Sequence, residues 1–330
     1  MSRMDEALLS VAASMLARPV RARYHEQWLA DLRDAQEVGL PRAAVVRGAI
    51  GFALIAVPRE VVVAELRASI GWVPITAATL AVLLPLTEIL FRHQYLTGGT
   101  LTNSNAGILA SAVDGVVPLL FPVLLVLVGC FRLFRELGDR FVVNTRTRVR
   151  VESYVYAKLL VAVSIAFVVF FAATFVAFTV SFVVWPAIGN PGVDTTGTLI
   201  DGRPWQASDA IHEYTFTQLL AAGPMPFGIF YSVWVGLGAA TLTALGMAGL
   251  LIVRRPAIGL AVPLLFVIGQ HATVILLGQD RLSVLNSIFP FGYVQAPVIV
   301  GLAPLLTLMV LVAGLWVVLL RRVARLDALS

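Results

Sequence analysis

Long apolar runs alternate with short polar segments along this chain, and the alternation begins only near residue 70. The apolar runs lie at about Ile70–Phe91, Gly115–Phe134, Ala157–Trp185, Phe227–Val253, Ala257–Gly278 and Val298–Leu320. Each is near or above the roughly 20 residues an α-helix needs to cross a bilayer. They predict six transmembrane helices, the third long enough to tilt or project beyond the hydrocarbon. The segment Gln279–Pro297 is too apolar for a solvated loop and too short and broken to span. It is read as a re-entrant pair of short helices, a form tolerated where protein covers the backbone. Residues 92–115 are polar and glycine-rich, and residues 186–226 carry several turn signals, as connecting loops do.

Residues 1–69 follow a different pattern. Ala7–Leu16 is apolar but too short to span, and Asp5 and Glu6 precede it where a signal peptide carries positive charge. Tyr24, Trp28, Leu29 and Leu32 recur at helical spacing with charged residues between them. Gly39 and Pro41 mark a helix break, and the run Val45–Val57 is interrupted by Arg47 and closed by Pro58. Three regions are expected: a cytoplasmic helical prefix (1–69), a six-span membrane domain (70–322) and a short cytoplasmic tail (323–330).

Charge sets the orientation. Of the 24 lysines and arginines, all but Arg92, Arg203 and Arg281 fall in the prefix, between spans two and three, between spans four and five, or after span six. Basic residues near spans stay inside, so both termini are expected in the cytoplasm. The fold class is thus an all-α integral membrane protein, N-in/C-in, multi-pass in the plasma membrane. The composition agrees: 59% hydrophobic and 13% charged, about half the charge of a soluble domain. The net charge of +5 is segregated by membrane side, which argues for topology and lipid contact and against a nucleic-acid groove.

Catalytic patterns are missing. The sole lysine, Lys158, stands in Tyr156-Ala157-Lys158-Leu159 and so belongs to no phosphate-binding loop. His25, His93, His212 and His271 are far apart with no metal-ligand spacing. No Gly-x-Ser-x-Gly elbow occurs, and the single Cys130 excludes an internal disulfide. No catalytic residue, metal or cofactor is expected on this chain. At membrane depth, Gln270 and His271 in the fifth span are candidates for a substrate pathway, although interhelical hydrogen bonding is the commoner use of such residues. Glu88 has Arg92 one turn away, and Ser164, Thr174, Thr179 and Ser181 can bond back to their own helix.

The remaining signal is the basic segment at 132–158, between spans two and three. It holds Arg132, Arg135, Arg140, Arg146, Arg148, Arg150 and Lys158 against Glu136, Asp139 and Glu152. We read it as a docking point for a cytoplasmic partner.

With this order, residues 70–322 resemble the membrane subunit of type-2 ATP-binding-cassette transporters, the bacterial ABC-2 exporter permeases. In that family the loop between spans two and three forms a coupling helix seated in a separate ATPase. The resemblance places it on Asn144, Thr145, Arg146, Thr147, Arg148, Val149, Arg150, Val151 and Glu152, running into Tyr154 and Lys158. The family also carries short re-entrant helices before its last span, and Leu285–Tyr293, with Phe289-Pro290-Phe291, is similar to them. The resemblance implies a permease coupled to an ABC ATPase, with ATP and Mg on that partner, working as a homodimer or heterodimer. A rival from another class is a membrane-anchored regulator or sensor acting through the prefix.

Overall fold

Lipid offers no hydrogen bonds, so each long apolar run must satisfy its backbone internally, and a helix does so within one segment. The computed structural model describes residues 3–14, 18–34, 41, 43–49, 69, 71–96, 104–113, 116–138, 151–189, 206, 209–292 and 296–328. Among them every regular element is helical. Six helices are long and apolar enough to cross a membrane: Trp72–Leu90, Val116–Gly138, Tyr154–Ala187, Pro224–Ile252, Pro256–Leu276 and Val298–Arg322. They coincide with the six expected runs to within a few residues and mark a multi-pass membrane protein. The third has 34 residues, about 50 Å of helix against a hydrocarbon core of about 30 Å, which is the excess expected from its sequence.

In chain order the helices are α1 (Arg3–Ser14), α2 (Arg18–Asp34), α3 (43–49), α4 (Trp72–Leu96) and α5 (Asn105–Val113). Helix α6 joins Val116–Leu125, a π-helical turn at Val126–Cys130, and Phe131–Gly138. Helix α7 joins Val151–Thr179, a second π turn at Val180–Val184, and Trp185–Ala187. Then follow α8 (Ala210–Glu213), a 3-10 turn at Phe216–Ala222, α9 (Pro224–Ile252) and α10 (Pro256–Leu276). Short α11 (Val284–Ile288) lies between 3-10 turns at Asp280–Leu282 and Pro290–Gly292, and α12 (Val298–Ala328) closes the chain.

The chain divides into two units. The first comprises Met1–Ile70, Glu136–Val161 and Ala313–Ser330, the second Gly71–Arg135 and Ala162–Val312. In the first, α1, α2 and α3 enclose an apolar cluster of Leu9, Ala12, Ala13, Trp28, Leu32, Val46 and Ala49. Trp28 and Leu32 stand one helical turn apart, and the Tyr24 ring lies 5.8 Å from that of Trp28. The helical spacing read from the sequence therefore serves a small core of its own.

In the second unit α9 is the most enclosed span, with 78% of its apolar window buried. Between helices in lipid, close backbone approach replaces the hydrophobic driving force, and small residues permit it. Gly249 and Gly259 show this where α9 turns into α10. A Cβ on Gly249 would lie 2.7 Å from the Gly259 carbonyl oxygen, and one on Gly259 would lie 2.8 Å from that of Gly249. The connection before span two differs from its expected loop. Asn105–Val113 is a helix buried from Ala106 to Val113, because Ala106, Gly107, Ala110, Ser111 and Ala112 are small enough to pack on every side.

Helix α11 is held between two spans. The Trp234 indole N–H of α9 donates to the Ser287 carbonyl at 2.8 Å. The Ser287 hydroxyl donates to the Gly301 carbonyl of α12 and accepts from the Leu305 N–H at 3.3 Å. Gly301 and Leu305 are the pair an α-helix would bond to each other, and Pro304 lies beside them. Ser287 is thus inserted into the ladder of α12. Ser287→Ala strands two buried backbone groups and is expected to cost about 1–3 kcal/mol. Thermal unfolding in detergent should show a clear fall in Tm, whereas Thr307→Ala, whose exposed hydroxyl bonds only to its own helix, should change little.

Candidate functional site at the base of the basic loop

The coupling segment expected from the sequence lies mostly outside the described residues: Asn144, Thr145, Arg146, Thr147, Arg148, Val149 and Arg150 are not among them. Val151 and Glu152 open α7. The structure describes the base of the loop, where α6 ends at Gly138 and α7 begins at Val151.

Three side chains of the first unit meet there. Tyr154 and Lys158 are one turn apart on α7 and so share a face. Lys158 Nζ lies 2.6 Å from Glu136 Oε2, with the two side chains 3% and 15% exposed. The Tyr154 hydroxyl donates to the same oxygen, and Lys158 Nζ stands 4.7 Å from the centre of the Tyr154 ring. Val155, Tyr156 and Ala157 are buried as well. A charge this enclosed must be paired, and breaking such a pair by removing one partner costs about 3–5 kcal/mol. Lys158, counted in the sequence among the positive charges of the docking segment, is therefore occupied internally. Glu136, seen there only as a minor countercharge, is its partner.

Gln270 and His271, the residues the sequence offers for a substrate pathway, are partly buried on α10. Their hydrogen bonds go to the segment that follows their own helix. Gln270 Nε2 donates to the Leu282 carbonyl at 2.7 Å, and its Oε1 accepts from the Val284 N–H at 3.0 Å. His271 Nδ1 lies 2.7 Å from Ser283 Oγ, which also caps α11 by accepting from Asn286 N–H. The pair pins α11 to α10.

Two polar groups escaped the sequence reading. Among the described residues, the hydroxyls of Tyr231 and Thr243, both on α9, are buried without a hydrogen-bond partner. Tyr231 is packed by the rings of Phe227, at 6.1 Å, and Phe291, at 5.3 Å. A cavity of about 20 Å³ bordered by Pro85, Phe121, Phe170, Thr174 and Phe289, which neither hydroxyl lines, has room for about one water. A single tyrosine or threonine in an apolar run carries no pattern, so only the packing reveals these groups.

Between spans, Ser104 caps α5 by accepting from Gly107 N–H at 3.1 Å, and its hydroxyl donates to Glu213 of α8. Burial pushes the Glu213 carboxyl above its ordinary value of 4.5, against the opposing hydrogen bonds from Ser104 and Tyr214.

Two outcomes are expected. A carboxyl whose value is raised by folding gives stability that is complete below pH 4.5 and is lost as pH rises through the raised value. Melting temperature measured against pH should therefore fall across that window, and Glu213→Gln should flatten the fall; an unchanged profile would discount this residue. Tyr231→Phe keeps the ring and removes an unpaired buried hydroxyl. Its Tm should match the parent or exceed it, with a gain of up to about 1–3 kcal/mol.

Set against models of protein families, curated proteins and solved structures, the chain matches none of them.

Proposed function

We propose that this chain is the permease subunit of an ATP-driven exporter of the ABC-2 type in a bacterial plasma membrane. Both termini lie in the cytoplasm, and the chain pairs with a second permease copy or relative. A separate ATPase chain carries ATP and Mg. The observation that carries the reading is positional: six membrane-length helices with the arginine-rich segment between the second and third. The short helices Asp280–Gly292 directly before the last span support it, read as a re-entrant element. In this mechanism the segment 144–152 docks on the ATPase, with Arg146, Arg148 and Arg150 meeting acidic groups and Val149 and Val151 entering its cleft. ATP-driven closure of the ATPase then moves the spans. Gln270 and His271 act by holding the short helices against span five, at the edge of the pathway.

A second reading has one observation in its favour: the apolar cluster around Trp28 gives the prefix a core that a simple anchor does not need. On that reading residues 1–69 bind a cytosolic signalling partner and the spans serve as anchor or sensor.

Affinity purification in mild detergent decides between them. The exporter reading expects a stoichiometric P-loop ATPase, its affinity falling at least tenfold in Arg148→Glu, which is about 1.4 kcal/mol. Melting temperature should stay near that of the parent. Recovery of a regulator lost on deletion of residues 1–69, with no ATPase, would replace the exporter reading by the second.

A further inference from the structure

We infer that Glu136, Tyr154 and Lys158 form a rigid joint that makes the two helices flanking the basic loop move as one lever. The inference rests on the exporter reading for what the lever does, and on the geometry of the first unit for its existence.

Residues 139–150 separate the end of α6 from the start of α7. A force applied to that loop enters the helices at Gly138 and Val151. Without a tie between them, two helices can slide and turn independently, and the force would be spent in that relative motion. The ion pair removes this freedom. Both donors come from one face of α7, and both converge on a single oxygen, Glu136 Oε2. Two points on one helix tied to one point on another set the rotation of α7 as well as its height.

The choice of residue supports this role. Every other basic side chain of the chain is arginine, and Lys158 is its only lysine. A guanidinium is a wide fork that needs several acceptors, whereas an ammonium is a compact point charge. Nζ meets the Glu136 carboxylate at 2.6 Å and an aromatic face at 4.7 Å, contacts that suit a point charge. Stability alone does not call for an ion pair here, because a packed apolar pair commonly holds a buried contact as well or better. What the charged pair adds is direction.

The test uses the full chain in lipid nanodiscs, with and without the ATPase that copurifies. Spin labels on Gly138→Cys and Ser153→Cys, in a Cys130→Ala background, report the spread of distances across the loop base. The double variant Glu136→Gln/Lys158→Met removes both charges of the pair together, and Lys158→Arg keeps the charge while changing its shape. The parent is expected to give a narrow distribution, and both variants one at least twofold broader. With the ATPase present, both variants should bind it within threefold of the parent while transport per ATP hydrolysed falls at least tenfold. An unchanged distribution in either folded variant would overturn the joint. So would a broadened distribution with normal coupling, or loss of ATPase binding, which would make the cluster part of the docking face. Should the double variant fail to fold, Lys158→Arg alone decides by the same criteria. If the parent recovers no ATPase, the exporter reading falls, and the label distances still decide whether the joint exists.

Discussion

An apolar chain can hold its backbone without water only by bonding every N–H and C=O internally, and this fold depends on how it does so where regular helix stops. Three sites need repair, two between the spans and one inside the last span, and each is repaired by a polar side chain at a helix end or on a neighbouring element. Ser104 closes the start of α5, Gln270 pairs with both backbone groups around Ser283, and Ser287 enters the ladder of α12 beside Pro304. The short helices α5 and α11 can therefore lie buried among the spans. The repairs also fix where they lie, because each hydroxyl or amide reaches only one set of partners.

Packing in the second unit follows from the same poverty of polar groups. Phe167, Phe171, Phe175, Phe178 and Phe182 stack along α7 at helical spacing, with neighbouring ring centres 5.0–6.0 Å apart. The ladder meets Phe227 of α9, which stacks on Tyr231, and Tyr231 meets Phe291 after α11. Phe121 of α6 contacts both Phe170 and Phe289. Rings add orientation-dependent contact of about 0.5–1.5 kcal/mol a pair beyond their area. They tie the residues just after α11 to α6 and α9, while its hydrogen bonds reach α9, α10 and α12, so shape and polarity together specify one position for it.

The spans were legible because period does not matter to a fully apolar helix: hydropathy sustained over about 20 residues finds Pro224–Ile252 or Val298–Leu320. The prefix core was legible through Tyr24, Trp28 and Leu32, whose spacing signals one buried face. Helix α5 was hidden because polar residues on either side of Asn105–Val113 set the character of the whole connection, while its small residues allow burial on all faces and leave no amphipathic stripe. At the candidate site the sequence marks the arginines and the lone lysine equally. Which of these charges is enclosed depends on Glu136, 22 positions before Lys158, and no local spacing connects the two. Tyr231 and Thr243 are harder still, since an unsatisfied hydroxyl is defined by what surrounds it.

The pairing of Lys158 changes what the basic segment can do. With Lys158 and Glu136 paired out of water, neither charge of that pair is available to the docking proposed above, which falls to the arginines of the segment. Arginine suits that task, because its fork meets a carboxylate through two parallel bonds. The two sets also respond differently to their surroundings. Charges within reach of solvent ions are screened over about 8–10 Å at physiological salt, whereas Lys158, 4% exposed, is beyond that reach. On the docking proposed above, attraction to an acidic partner weakens with salt, while the pairing of Lys158 with Glu136 does not. On that proposal the segment releases its partner without losing the geometry that receives it.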